Sequence, residues 1–174
     1  MPENELSGLQ ALQKIPTGID GLDSITMGGI TERRMVLVAG SSGSCKTMLG
    51  VEFLYRRISE FGASGVFVTF EERPRDIARN VLSIGWHLDQ FVEQGKLIFI
   101  DASPNPTLAG EIGHYDLSGL IAQIEYAVQK IGASCIVIDS IGSLFSQYHD
   151  LGMVRLNIYQ ILSSLGNLGI TGLM

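Results

Sequence analysis

Four short apolar runs, at residues 35–39, 66–70, 97–100 and 135–138, constrain this chain more than any other feature. Each is nearly continuous in apolar residues and too brief for a buried helix. Strands of that kind are covered on both faces, which is the habit of a parallel sheet held between layers. Helix-period segments separate them. Residues 46–60 set Leu49, Phe53, Leu54 and Ile58 on one side. Residues 74–84 carry Ile77, Val81 and Ile84, with Pro74 in the first turn, where its missing N–H costs nothing. Leu117, Leu120, Ile121, Ile124, Val128 and Ile131 form a further stripe at i, i+3, i+4 and i+7, and residues 154–168 suit another helix. The alternation predicts an α/β fold with a mostly parallel sheet, and right-handed crossovers place helices on both faces. Residues 169–174 read as the opening of a fifth strand. The sequence is therefore expected to be C-terminally truncated, with a polar lead-in at 1–14 and one partial domain at 15–174. Residues 101–116 form a long loop rich in Gly and Pro, of the kind that usually carries function.

The first run ends in Gly40-Ser41-Ser42-Gly43-Ser44-Cys45-Lys46-Thr47 and leads into a helix. This order matches the phosphate-loop pattern G-x-x-x-x-G-K-[ST] except at Cys45, which stands in the second glycine's place. Backbone N–H groups of Ser41, Ser42, Gly43, Ser44 and Cys45, aided by the helix N-terminus, are suited to cradle phosphates. Lys46 would neutralise phosphate charge and the Thr47 hydroxyl would ligate Mg²⁺. A Cβ at position 45 crowds that cradle or demands a backbone conformation that Gly adopts at lower cost, so reduced nucleotide affinity is expected. A thiol at a helix N-terminus is also placed to be reactive.

Two further elements point to the same chemistry. The fourth run delivers Asp139 at its C-terminal edge, where ligands of open α/β sheets bind, so Asp139 is expected in the Mg²⁺ shell. The second run ends in Glu71 and Glu72, either of which could polarise water for γ-phosphate hydrolysis. In the alternative, both complement the dipole of the helix that follows. Spacing alone does not rank the two.

Composition limits the partners. With 12 Lys and Arg against 18 Asp and Glu, the net charge is −6, a poor field for wrapping nucleic acid. The two cysteines, Cys45 and Cys135, have no ligand-spaced neighbours, which fits neither a disulfide scaffold nor a zinc site and suits a reducing, cytoplasmic setting. No apolar run approaches the ~18 residues of a membrane span. Trp86 is expected in the core, while His87, His114, His149 and the Arg33-Arg34 pair are expected at the surface.

Together these segments resemble the RecA-like ATPase domains of the KaiC family, most closely its N-terminal domain. The resemblance rests on Gly18-Ile19-Asp20-Gly21-Leu22-Asp23 with Gly28-Gly29-Ile30, on the 40–47 loop, and on residues 66–74 ending Phe70-Glu71-Glu72-Arg73-Pro74. Gly95-Lys96-Leu97 with Asp101-Ala102-Ser103-Pro104, and Ile138-Asp139-Ser140 before Gln147-Tyr148, complete it. What the resemblance implies is a RecA-like P-loop NTPase that hydrolyses ATP slowly with Mg²⁺ and assembles as a hexameric ring, nucleotide lying between protomers. It makes Glu71 and Glu72 the catalytic glutamates and Asp139 the Walker B acid. It also implies clock partner proteins, an autokinase second domain outside this sequence, and a strand from Gly169 lying between the phosphate-loop and Asp139 strands. Without the strands that follow in the family, the chain by itself is expected to be marginal or prone to associate. Two other functions compete. One is a nucleotide-binding or assembly module that no longer hydrolyses because of Cys45. The other is a DNA-handling RecA relative, which the −6 charge disfavours.

Overall fold

The computed structural model describes residues 11–103, 116–142 and 151–174. Most of the lead-in, most of the 101–116 loop, His114, His149 and the Gln147-Tyr148 segment lie outside the described residues. A small antiparallel pair, β1 (Lys14–Ile15) and β2 (Ile30–Thr31), encloses the short helix α1 (Leu22–Ile25). The main body follows as β3 (Met35–Val36), α2 (Lys46–Ser59), β4 (Gly65–Thr69), α3 (Pro74–Leu82), α4 (Leu88–Glu93) and β5 (Leu97–Asp101). It closes with α5 (Leu117–Ile131), β6 (Cys135–Asp139), α6 (Leu151–Asn167) and β7 (Thr171–Leu173).

Five strands form one parallel sheet in the order β3-β7-β6-β4-β5. The expected fifth strand is β7, and it lies between the phosphate-loop strand and the Asp139 strand. Side-chain alternation divides the core. Phe67, Cys135 and Val137 pack with Val51, Phe53, Leu54 and Ile58 of α2 and with Ile77 and Val81 of α3. Val66, Val68, Ile136 and Ile138 face Leu120, Ile124 and Val128 of α5 and Ile161 and Leu165 of α6. The described residues thus show an α/β sheet with helices on both faces, as in RecA-like P-loop proteins.

Three expectations need correction. The run 35–39 yields a strand only over Met35–Val36, although the Val38 amide still donates to the Met174 carbonyl at 2.7 Å. Leu37, the residue after that strand, is 64% exposed. Helix α3 ends at Leu82, so Ile84 falls past its apolar face and is 52% exposed. Trp86 is half-buried rather than central, stacked on Tyr55 with ring centroids 5.0 Å apart.

A carboxylate clasp ties the β1–β2 region together. Asp23 accepts hydrogen bonds from the Thr17 amide at 2.8 Å, the Thr17 hydroxyl at 2.6 Å and the Gly18 amide at 3.0 Å, and Thr17 is fully buried. Burial alone would raise the Asp23 pKa. The Thr17 hydroxyl, the Thr17 and Gly18 amides and the Arg57 charge outweigh it and hold the carboxyl below its ordinary value. A depressed native pKa stabilises the fold above the ordinary carboxylate range, and that contribution fades as pH falls through the lowered native value. Asp23→Asn sets an amide donor against one of these N–H groups, at a cost of about 1.5–3 kcal/mol. Thermal melts should show a midpoint lowered by roughly 5–10 °C at neutral pH. The gap should narrow in acid, and an equal gap at all pH values would contradict the charge's role.

Candidate nucleotide site

Past β3 the chain runs through residues 37–39 into the 40–45 loop. At Gly40 a Cβ would meet the Ser44 side chain, which would have to shift. Gly43 has φ +77°, and Ser44 N–H donates back to the Ser41 carbonyl at 3.2 Å, closing the turn. Cys45 then caps α2 with φ +63° and ψ +27°, inside the left-handed region. The backbone here takes the glycine-like conformation that position 45 requires, with a cysteine in it. Cys45 is exposed, as are Ser41, Ser42, Gly43 and Ser44.

Lys46 folds across the loop. Its Nζ donates to the Gly40 carbonyl at 2.9 Å and to the Ser41 carbonyl at 3.0 Å. Those two bonds hold the ammonium over the loop's mouth. Thr47 sits half-buried in the first turn of α2.

The parallel register brings the other elements level. Thr69 of β4 stands opposite both Asp101 of β5 and Asp139 of β6. The Phe70 amide makes the last rung, to the Asp139 carbonyl at 2.9 Å. A cavity of about 380 Å³ opens where the ends of β3, β6 and β7 meet the loop, lined among others by Gly40, Lys46, Gly50, Asp139, Ser140 and Met174. A second cavity, also about 380 Å³, adjoins it around Ser44, Cys45, Lys46, Met48 and Glu52. Lys46 is common to both.

The fold therefore joins the loop lysine and the strand-end aspartate on one cavity, at the C-terminal edge of the sheet. Ser41, Ser42, Gly43, Thr47, Glu71 and Glu72 lie outside both linings. Glu71 and Glu72 are both exposed but are held differently. The Ser140 hydroxyl donates to Glu71 Oε1 at 3.0 Å, whereas Asn80 Nδ2 of α3 donates to Glu72 Oε2 at 3.3 Å. Thr69 Oγ1 also donates to the Glu72 carbonyl at 2.7 Å, fixing the bend that follows β4. Ser140 was not among the residues that sequence spacing selected. Its place directly after Asp139 at a strand end was the available signal.

The donor set suits an anion and a hard cation. A glycine-bearing loop at a helix N-terminus with one lysine supplies amides and positive charge, while a carboxylate and a hydroxyl are oxygen ligands of the kind Mg²⁺ takes. Among the described residues, no group of three or more His, Cys, Asp or Glu could hold a metal by itself.

A parallel α/β sheet carrying a strand–loop–Lys-Thr–helix unit defines this chain as a RecA-like P-loop ATPase domain. Residues 15–174 match the family model described as "ATPase: KaiC", and the chain belongs to that family. Over 178 residues it is 43% identical to the circadian clock oscillator protein KaiC of Thermosynechococcus vestitus, covering 100% of this chain and 34% of that protein. It is 45% identical to KaiC of Picosynechococcus over 166 residues and 46% identical to KaiC of Rippkaea orientalis over 165, each covering 95% of this chain and 32% of the relative. The chain thus spans about a third of the length of the curated relatives it matches. No helix among the described residues is long and apolar enough to cross a membrane.

Proposed function

We propose that this chain binds Mg-ATP on the 40–47 loop and hydrolyses it slowly, working as one subunit of a hexameric ring within a circadian-clock or KaiC-like signalling protein. The observation that carries the reading is the single cavity shared by Lys46 and Asp139 at the sheet's C-terminal edge. In this reading the amides of Ser41, Ser42, Gly43, Ser44 and Cys45 orient the phosphates, and Lys46 exchanges its two loop carbonyls for phosphate oxygens. Thr47 and Asp139 would hold Mg²⁺, whose chemistry is to neutralise the charge that develops on the phosphate oxygens. Glu71, with Glu72 beside it, accepts a proton from the attacking water. The cytoplasm and clock partner proteins belong to the same proposal, supported by the named relatives.

A second reading, a module that binds and assembles without hydrolysis, is favoured by one observation, Cys45 in a left-handed backbone. Phosphate release and bound nucleotide, measured together at saturating Mg-ATP with particle mass by light scattering, separate the two. Phosphate release with a ring-sized particle is the expected result. Stoichiometric binding without release favours the second reading, and absence of binding overturns both.

A further inference from the structure

Strand pairing brings the segment after β4 to the end of β6, and hydrogen bonding separates its two glutamates. Thr69 is level with Asp139, and Phe70 makes its rung to the Asp139 carbonyl. Continued one residue on, that register sets Phe70 level with Ser140, and Glu71 follows directly after Phe70 at the same edge of the sheet. The Ser140 hydroxyl donates to Glu71 Oε1 at 3.0 Å, and Ser140 itself lines the cavity that Lys46 and Asp139 share. Glu72 is turned the other way, its carboxylate on Asn80 of α3.

We infer that Ser140 is a positioning residue for Glu71, fixing that carboxylate against the Asp139 end of the sheet for proton abstraction from water. The inference rests on the hydrolysis reading given above. A glutamate on an exposed loop loses side-chain entropy when it is held in one rotamer. A hydroxyl donating to an ionised carboxylate is a charge-assisted bond, among the stronger hydrogen bonds a protein makes. Such a bond orders the carboxylate before water and nucleotide arrive, and pre-ordering of that sort lowers the barrier without tightening substrate binding. A positioning role therefore predicts a change in kcat with little change in KM.

The test compares wild type, Ser140→Ala, Ser140→Thr, Glu71→Gln and the Ser140→Ala/Glu71→Gln pair, in steady-state Mg-ATP hydrolysis and direct nucleotide binding. Ser140→Ala is expected to lower kcat about tenfold while KM and Kd stay within about twofold. Ser140→Thr keeps the hydroxyl and should recover most of the rate. In the Glu71→Gln background, loss of the Ser140 hydroxyl should cost nothing further, since a residue acting through another has no effect once that one is gone. Full turnover in Ser140→Ala, or a threonine that fails to rescue while melting like wild type, overturns the positioning role. Full turnover in Glu71→Gln, or none in the wild-type chain, overturns the hydrolysis reading itself. Turnover lost in Glu71→Gln but intact in Ser140→Ala removes the serine's role and leaves that reading standing.

Discussion

Glu71→Gln is expected to slow ATP turnover at least about 100-fold, the lower end of what a positioned general base contributes, with Mg-ATP affinity within about twofold of wild type. Glu72→Gln is expected to cost about tenfold or less, a fraction of a base's full contribution. The difference follows from where each carboxylate is held. Glu71 is bonded to Ser140, which lines the cavity beside Asp139, while Glu72 is bonded to Asn80 on the flank of α3. An amide in place of either acid keeps the side-chain shape and removes the ability to take a proton. Loss of rate with binding preserved marks an interaction made only in the transition state. Single-turnover phosphate release under saturating Mg-ATP checks the pair directly. Equal losses at the two positions would mean that the split between them does not extend to the reacting complex.

Most of the sheet was legible because its strands leave little choice. In β4 and β6 almost every residue is apolar and every one but Asp139 is buried, so a reading as doubly covered strands had no competitor. Helix α5 begins and ends where its stripe does, and its start is fixed locally, by the Asp116 carboxylate accepting from the Gly119 amide at 2.9 Å. Elements too short to show a period were not legible. The β1–β2 pair has two residues per strand, and α4 has six with only Leu88 buried. The 35–39 run failed as a full strand for a different reason. Burial of an apolar run depends on neighbours the run does not encode, and among the described residues Leu37 has none that cover it.

The site divides along the same line. Ser41 through Thr47 could be named from spacing, since a phosphate loop is contiguous and its conformation is largely local. A glycine-like backbone was one of the two alternatives for position 45; it is also a local property, and Cys45 adopts it. The different partners of Glu71 and Glu72, Ser140 and Asn80, were not legible. The Glu71 contact depends on the pairing of β4 with β6, strands separated in sequence by three helices, β5 and a long loop. No pattern within either segment reports that pairing.

Nucleotide affinity should move in opposite directions at two adjacent loop positions. Lys46→Ala removes a cation that would make charge-assisted bonds to phosphate, each worth about 1.5–3 kcal/mol, so affinity for Mg-ATP should fall roughly 10- to 100-fold. Cys45→Gly should raise it. A non-glycine residue in the left-handed conformation that Cys45 holds here costs about 1–2 kcal/mol, which favours departure from it in the free loop. Binding is weakened by whatever fraction of molecules has left. Recovering about 1.4 kcal/mol corresponds to a tenfold gain. Thermal stability should scarcely follow, because glycine gains about 0.4–1 kcal/mol of unfolded-chain entropy that offsets much of the relieved strain. A titration following bound nucleotide in wild type, both single variants and the double variant checks the argument. If Cys45→Gly binds no more tightly than wild type, the loop accommodates the thiol and its left-handed backbone is already the binding conformation. If Lys46→Ala binds as wild type does, phosphate does not reach the cavity that Lys46 and Asp139 share, and the assignment of this loop to ATP fails with it.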